Sequence, residues 1–239
     1  MFLYIILIIL ITLLLIYLYY KAKYQFWSRQ PVFHYHNLWY WIFPPGIIQF
    51  KKPKFDKYYD GTILFKKLGE ISEEKKALFV SFIKTHYLPK KEEKYDPTSG
   101  AIMDYLNHHN QETYISLNFN NKIKLISTMT TRPLKCIIDN KDFMLYYVDY
   151  LCVHSRHRKK GIAPKTIYSH YVNHRYKHEN VIFFFKREGE TTMIVPLTIY
   201  KIYLFDIKYW DKTAEFGHPD YEILYLSQQN MNLFIEIYD

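Results

Sequence analysis

The chain has 239 residues, enough for one domain with its own core or two small ones, and carries 32 Lys and Arg against 23 Asp and Glu, a formal charge of +9. With 7 Gly against 25 Tyr and 17 Phe it is neither a disordered nor a collagen-like composition. The positive balance points to a polyanionic partner: nucleic acid, an anionic membrane or a phosphorylated ligand. The two cysteines, Cys136 and Cys152, form no CxxC pair. One disulfide between them is formally possible, but two reduced, buried thiols in a cytosolic domain are the expectation.

Residues 1–20, MFLYIILIILITLLLIYLYY, contain no charge. About 20 apolar residues in a helix span the hydrocarbon layer of a bilayer. Tyr17, Tyr19 and Tyr20 stand where an interfacial aromatic belt would lie, and Lys21, Lys23 and Arg29 follow. A cleaved signal peptide would show a basic start, a shorter apolar core and a small-x-small site, none of which is present. The expectation is an uncleaved single-pass anchor over 1–20, with positive charge after the span placing the rest on the cytosolic side.

Residues 21–60 are aromatic and proline-punctuated without a clear period, and read as an extended arm with a turn at Pro44-Pro45-Gly46. A third segment, 61–239, is expected to form the main domain. Within it, 73–87 reads as an amphipathic helix with Leu78, Phe79, Phe82 and Ile83 on one face and Ser72 as N-cap. TSGAIMDYLNHH, from 98, reads as a second helix. The alternating run from Thr113 to His154, broken at NFNNK and DNKDF, predicts three antiparallel strands. A helix over about 162–176 follows, then NVIFFFK as a fully buried strand and the strand-like IYKIYLFDI and NLFIEIYD. The order is that of an α/β (α+β) fold: a mostly antiparallel central sheet flanked by helices, preceded by one transmembrane helix.

The chemistry concentrates where the third of these strands meets that helix, VDYLCVHSRHRKKGIAPKTIYSHYV, residues 148–172. A helix N-terminus offers unpaired N–H groups and about half a positive charge, a natural phosphate site. Gly161 lets backbone approach an anion, and Pro164 suits a first helical turn. Arg156, Arg158, Lys159 and Lys160 add positive charge. On local chemistry a pyrophosphate cradle and an ordinary solvated basic loop are equally good readings.

Two segments carry a resemblance. The basic-x-x-Gly-x-Ala run after a strand resembles the acyl-CoA loop of the GNAT acyltransferase fold. More closely, YLCVHSRHRKKGIAP (150–164) is similar to the FLCVHKKLRSKRVAP signature of glycylpeptide N-myristoyltransferases, and YQFWSRQPV (24–32) to that family's YQFWDTQPV. The resemblance covers roughly residues 24–200. It implies that Gln25, Phe26 and Trp27 fold over the CoA end. It implies an oxyanion hole built from the Tyr150 and Leu151 backbone amides, a pantetheine arm held by Cys152 and Val153, and phosphates bound by Lys159, Gly161, Ile162 and Ala163. Cys152 is then a packing residue rather than a nucleophile. The co-substrate implied is a long-chain acyl-CoA, myristoyl-CoA in the family, without a metal, and the acceptor is an amine such as a protein's N-terminal glycine.

The departures matter. Asp149 stands where the family has Asn, and Gly161 where it often has Arg. The family's second half completes the peptide groove and supplies a C-terminal carboxylate base, and this sequence reads as the first half alone. The base is therefore left open among Asp239, Glu188, Glu190 and Asp206, and a partner chain is left open as the source of the acceptor groove. A catalytically inactive, acyl-CoA-binding or structural membrane protein is the alternative.

Other constellations are weaker. His170, His174 and His178 share a helix face at a spacing that can build a metal site, but solvated helix positions are the default. No GxSxG elbow supports a Ser-His-Asp triad. Trp27, Trp39, Tyr40 and Trp41 with basic charge could stack single-stranded nucleic acid, but packing or interfacial contact close to the anchor is the expectation.

Overall fold

The computed structural model describes residues 2–43, 47–87, 97–121, 123–138, 140–179, 181–187, 193–201, 203, 227 and 230–232. The chain divides into two units, 1–196 and 197–239. Every helix and strand named below lies in the first.

Helix α1 (Phe2–Lys23) is apolar on every face and exposed over almost its whole length. Its 22 residues at about 1.5 Å each give a rod of about 33 Å, so by length and composition it can cross a membrane. The arm that follows is not simply extended. It holds a short 3-10 turn (Trp27–Arg29) and helix α2 (Leu38–Ile42), which Asn37 caps by accepting the Trp39 N–H. The turn expected at residues 44–46 lies outside the described residues.

Five strands form one sheet in the order β1 (Leu64–Lys67), β2 (Tyr114–Asn120), β3 (Lys124–Ile138), β4 (Lys141–Val153) and β5 (Phe183–Phe184). The first four are antiparallel, and β5 runs parallel to β4 after the crossover helix α5 (Ile162–Lys177). The two hairpin turns use Asn121 and Asn140 at φ 49° and 59°, a region Asn tolerates better than most residues. Strand β1 is not foreseen, because LFKK is too short to show a period. The expected seven-residue strand NVIFFFK shrinks to Phe183–Phe184, half-buried at the sheet edge. The strand-like tails lie largely outside the described residues.

Helices α3 (Glu73–His86) and α4 (Ser99–Asn107) cover one face of the sheet. Phe79, Phe82, Ile83, Ile102 and Leu106 pack there against Ile115, Leu117 and Leu125. In α3 the buried set takes in Val80 and leaves Leu78 exposed, a small rotation from the expected stripe. Ser72 sits at the N-cap without a capping side-chain bond, whereas Thr98 accepts the Ala101 N–H at 3.2 Å and caps α4.

Helix α5 covers the other face, and its interface is polar. His170 donates or accepts at both ring nitrogens, Nδ1 to Ser116 Oγ at 2.8 Å and Nε2 to Thr131 Oγ1 at 2.9 Å. Thr166 and Ser127 hydroxyls meet at 2.6 Å. His174 lies among Tyr114, Tyr146 and Phe183, with ring centroids at 4.3, 4.4 and 5.3 Å. The expectation of solvated histidines is therefore wrong for His170 and His174, both 0% exposed, and right only for His178. Sheet hydroxyls match both nitrogens of the neutral His170 ring, whereas among the described residues neither buried nitrogen of His174 has a hydrogen-bond partner. Burial holds His170 down to about 3; burial first, then His170, His178 and Lys177, hold His174 down to about 2.

Candidate functional site

Between β3 and β4 the register skips. Thr128 pairs with Cys152 and Thr130 with Asp149, so Tyr150 and Leu151 together face the single residue Met129. This is a β-bulge, which takes backbone groups out of the regular ladder and bends the strand. Tyr150 sits at φ 46°, a left-handed conformation that costs a bulky residue about 1–3 kcal/mol. Packing holds it there. Its ring lies against Phe79, Tyr87 and Tyr105 at 5.9, 5.6 and 6.2 Å between centroids.

Beyond Val153 the chain makes a short basic loop. His154 N–H donates to Ile126 O, and its Nδ1 accepts the Arg156 N–H. Lys159 and Gly161 both adopt positive φ, 61° and 74°, and α5 begins at Ile162. A Cβ added at Gly161 would meet nothing within 4 Å, so the glycine answers to φ rather than to crowding, and the space beside it is open. The first turn of α5 holds no acidic side chain and no side-chain cap, so its N-terminal amides and positive dipole end keep no carboxylate of their own. Pro164 occupies the third helical position, as expected near a helix start.

That open space is part of a groove of about 820 Å³. The end of β4 contributes Leu151, Cys152 and Val153, and the helix start contributes Gly161, Ile162, Ala163 and Pro164. His86 and Tyr87, at the end of α3, and His157, Arg158 and Lys159, from the basic loop, complete it. Arg158 ties its parts together, donating from Nη2 to His86 O at 2.8 Å and from Nε to Val153 O at 3.2 Å. The His86 and His154 rings lie 4.1 Å apart, tilted by 39°. Burial, then His154, Arg158 and Lys124, hold His86 below its ordinary value; burial, then Lys124, His157 and Arg156, do the same to His154. Burial pushes the Cys152 thiol up to about 12, against a smaller opposing effect of Arg158, so this cysteine offers no thiolate near neutral pH. Both cysteines are free.

The groove thus gathers nine of the residues singled out in sequence: Leu151, Cys152 and Val153 from the strand, and Arg158, Lys159, Gly161, Ile162, Ala163 and Pro164 from the loop and helix. Tyr150 and Lys160 do not line it; Tyr150 turns its ring into the α3/α4 core, and Lys160 is exposed. Gln25, Phe26 and Trp27 lie elsewhere, along α5 beyond its first turn. Phe26 is buried against Tyr58, Tyr168 and Val172, Trp27 stacks on Phe185 at 5.3 Å, and Gln25 is exposed. The arm is fastened to α5 by Tyr168, which donates to Lys54 O at 2.6 Å, and by Arg175, which donates to Gln49 O and Phe50 O, each at 3.0 Å. Asp239, Glu188, Glu190 and Asp206 lie outside the described residues. Among the described residues no three His, Cys, Asp or Glu are grouped to hold a metal ion.

Sequence reasoning missed one cluster beside the bulge. Arg132 Nε donates to Asp149 Oδ2 at 2.9 Å and to Tyr105 Oη at 2.7 Å, and its guanidinium lies between the Tyr105 and Tyr147 rings at 4.9 and 5.0 Å. Burial pushes the Asp149 carboxyl up, and Arg132 and Tyr105 work against it. A lone acid in the apolar run VDYLCV was the signal available.

No known family profile matches the sequence, and no curated protein matches it. Among solved structures, an N-myristoyltransferase of Saccharomyces cerevisiae with bound myristoyl-CoA is similar over 67% of this chain and 39% of its own, with 16% identity and TM-score 0.47. A glucosamine-6-phosphate N-acetyltransferase of Arabidopsis thaliana is similar over 61% of this chain and 99% of its own, with 17% identity and TM-score 0.42. A transcriptional regulator of Bacillus halodurans is similar over 58% of this chain and 99% of its own, with 11% identity and TM-score 0.39. The chain spans about two fifths of the length of the yeast enzyme.

Proposed function

We propose that this chain is an acyl-CoA N-acyltransferase, anchored in a membrane by α1 with its domain on the cytosolic side. It passes a long-chain acyl group, myristoyl by resemblance, to a primary amine such as the N-terminal glycine of a protein. The observation that carries the reading is the continuity of the groove, from the strand end beside the Tyr150 bulge to the cationic start of α5.

In this reading the acyl-CoA phosphates rest on the α5 amides at Gly161, Ile162 and Ala163, with Lys159, Arg158 and Lys160 supplying charge. The pantetheine arm follows Cys152 and Val153. The amine nitrogen attacks the thioester carbonyl carbon, the C–S bond breaks, and the amide and CoA thiolate are the products, the thiolate later taking up the proton that the base receives. Charge developing on the carbonyl oxygen is received by the Tyr150 and Leu151 backbone amides, stabilisation that water would have to reorganise to provide. Cys152, held as a thiol, takes no covalent part, so transfer is direct. The amine's proton goes to a carboxylate base.

The test is calorimetric titration of the full chain in lipid nanodiscs with myristoyl-CoA and with acetyl-CoA, each corrected against empty discs. The reading expects the long chain to bind more tightly, and transfer to glycine-ended peptides to follow. Binding of neither would overturn it, and long-chain binding without transfer to any amine would leave a non-catalytic acyl-CoA-binding protein.

A further inference from the structure

Where α1 ends, the chain turns back on it. Tyr20 Oη and His34 Nδ1 lie 2.9 Å apart in a hydrogen bond, and the His36 ring packs against Tyr17 and Tyr20 at 5.2 and 5.6 Å. His34 is buried there and forms a bridge with Ile194; the Tyr35 N–H donates to Met193 O and the Val195 N–H to Phe33 O. Residues 33–36 are thus fixed against the last turns of α1 rather than hanging from it. Helix α2 starts two residues later, so its position follows from that clasp.

What α2 presents is apolar and uncovered. Tyr40 turns in and packs on Phe33 at 4.3 Å. Leu38, Trp39, Trp41, Ile42 and Phe43 are between 53% and 72% exposed. The Trp41 indole N–H already donates to Tyr35 O at 3.1 Å, so that ring can leave water without stranding a donor. Trp39 and Phe43 stack at 5.1 Å into one slab. The end of α1 carries the exposed Tyr19 ring and two lysines: Lys21 Nζ stands 4.6 Å from the Tyr17 ring, and Lys23 Nζ 5.5 Å from Tyr19. Tryptophan and tyrosine beside lysine, at the end of an apolar rod, is the composition of a bilayer's headgroup layer.

We propose that α2 and its flanks form a second membrane contact, lying in the interfacial layer of the same leaflet in which α1 ends. The proposal rests on reading α1 as a span. The occupant is the bilayer rather than a second copy, because residues 34–36, just before α2, are clasped to the end of α1, the apolar rod whose last turn carries Lys21 and Lys23. Clasped to α1 and fastened along α5, the arm then holds the domain at a set distance from the membrane instead of on a loose tether.

The full chain is placed in phosphatidylcholine–phosphatidylserine vesicles whose acyl chains are brominated either near the headgroup or near the chain end. Tryptophan quenching is read for the native chain, for the Trp39→Phe/Trp41→Phe variant and for Trp27→Phe/Trp210→Phe, in which Trp39 and Trp41 remain. The proposal expects their emission to shift to the blue and to be quenched about twofold more by headgroup-side bromine. The quenching should vanish in the Trp39→Phe/Trp41→Phe chain. If alkaline carbonate fails to strip the chain but neither lipid quenches these two residues, the span stands and the second contact is wrong. Blue-shifted but unquenched emission also overturns the contact, since another protein surface would then cover the patch. If carbonate strips the chain, the span is wrong, and the second contact, which rests on it, falls with it.

Discussion

The two faces of the sheet are held by different physics. Against α3 and α4 the interface is hydrocarbon, Phe79, Ile83, Ile102 and Leu106 on Ile115 and Leu117. Against α5 it is a hydrogen-bonded interface of Ser116, Ser127, Thr131, Thr166 and His170, with His174 boxed in aromatic rings. The first gains its energy from area and tolerates small shifts. The second gains little net energy per bond but penalises any arrangement that leaves a buried polar atom unmatched. The proposed site lies where the two meet: the Tyr150 bulge is packed from the apolar face, while α5, whose first turn is proposed to bind the anion, is aligned by the polar one. A helix that must present its first turn to a ligand gains more from exact alignment than from hydrophobic area.

Substitutions sharpen that contrast. Phe79→Ala, at a side chain 0% exposed, is expected to lose about 3–5 kcal/mol in denaturant unfolding of the nanodisc-held chain. His170→Ala strands the Ser116 and Thr131 hydroxyls and is expected to lose about 2–4 kcal/mol. The polar face predicts a repair that the apolar face does not. His170→Leu combined with Ser116→Ala and Thr131→Val should recover most of the loss, because both partners of each bond have gone. If the triple variant is no more stable than His170→Ala, cavity rather than hydrogen bonding dominates there.

Acid should act on the polar face first. The folded values for His170 and His174, about 3 and about 2, lie below the unfolded value near 6.5, so protons favour the unfolded chain. The stability held by their neutral forms is complete above about pH 6.5 and is lost as pH falls toward the folded values. The pair should account for about 2 kcal/mol between pH 6.5 and 5.5, measured as a shift in denaturant midpoint, and the triple variant should show about half that slope. The smallest contrast is between two helix starts on the apolar face. Thr98→Ala should cost about 1 kcal/mol, and Ser72→Ala no more than a few tenths, since only Thr98 makes a capping bond.

Much of this was legible before the structure. Helices α3, α4 and α5 and the three long strands announce themselves by period and by Asn-rich turns. The groove's strand, loop and helix start are contiguous in sequence, so their meeting follows from local structure, and Leu151, Cys152, Val153, Lys159, Gly161, Ile162 and Ala163 could be named together. What depends on distant pairing was hidden. Strand β1 is four residues that show no period alone. His170 reads as a surface residue until Ser116 and Thr131 are placed beneath it, strands away. His86 and Tyr87 enter the groove only through the packing of α3, and Arg132, Asp149 and Tyr105 meet across β3, β4 and α4. The family resemblance spoke to contiguous motifs: it marked Asp149 as a departure but said nothing of its partners Arg132 and Tyr105.

The most direct test of the account is photocrosslinking of the full chain with a myristoyl-CoA carrying a diazirine on its pantetheine arm, followed by peptide mapping. The account predicts label on Leu151–Val153 and on Ile162–Pro164, removed by excess unlabelled myristoyl-CoA. Label that falls elsewhere, or that unlabelled myristoyl-CoA does not displace, would contradict it.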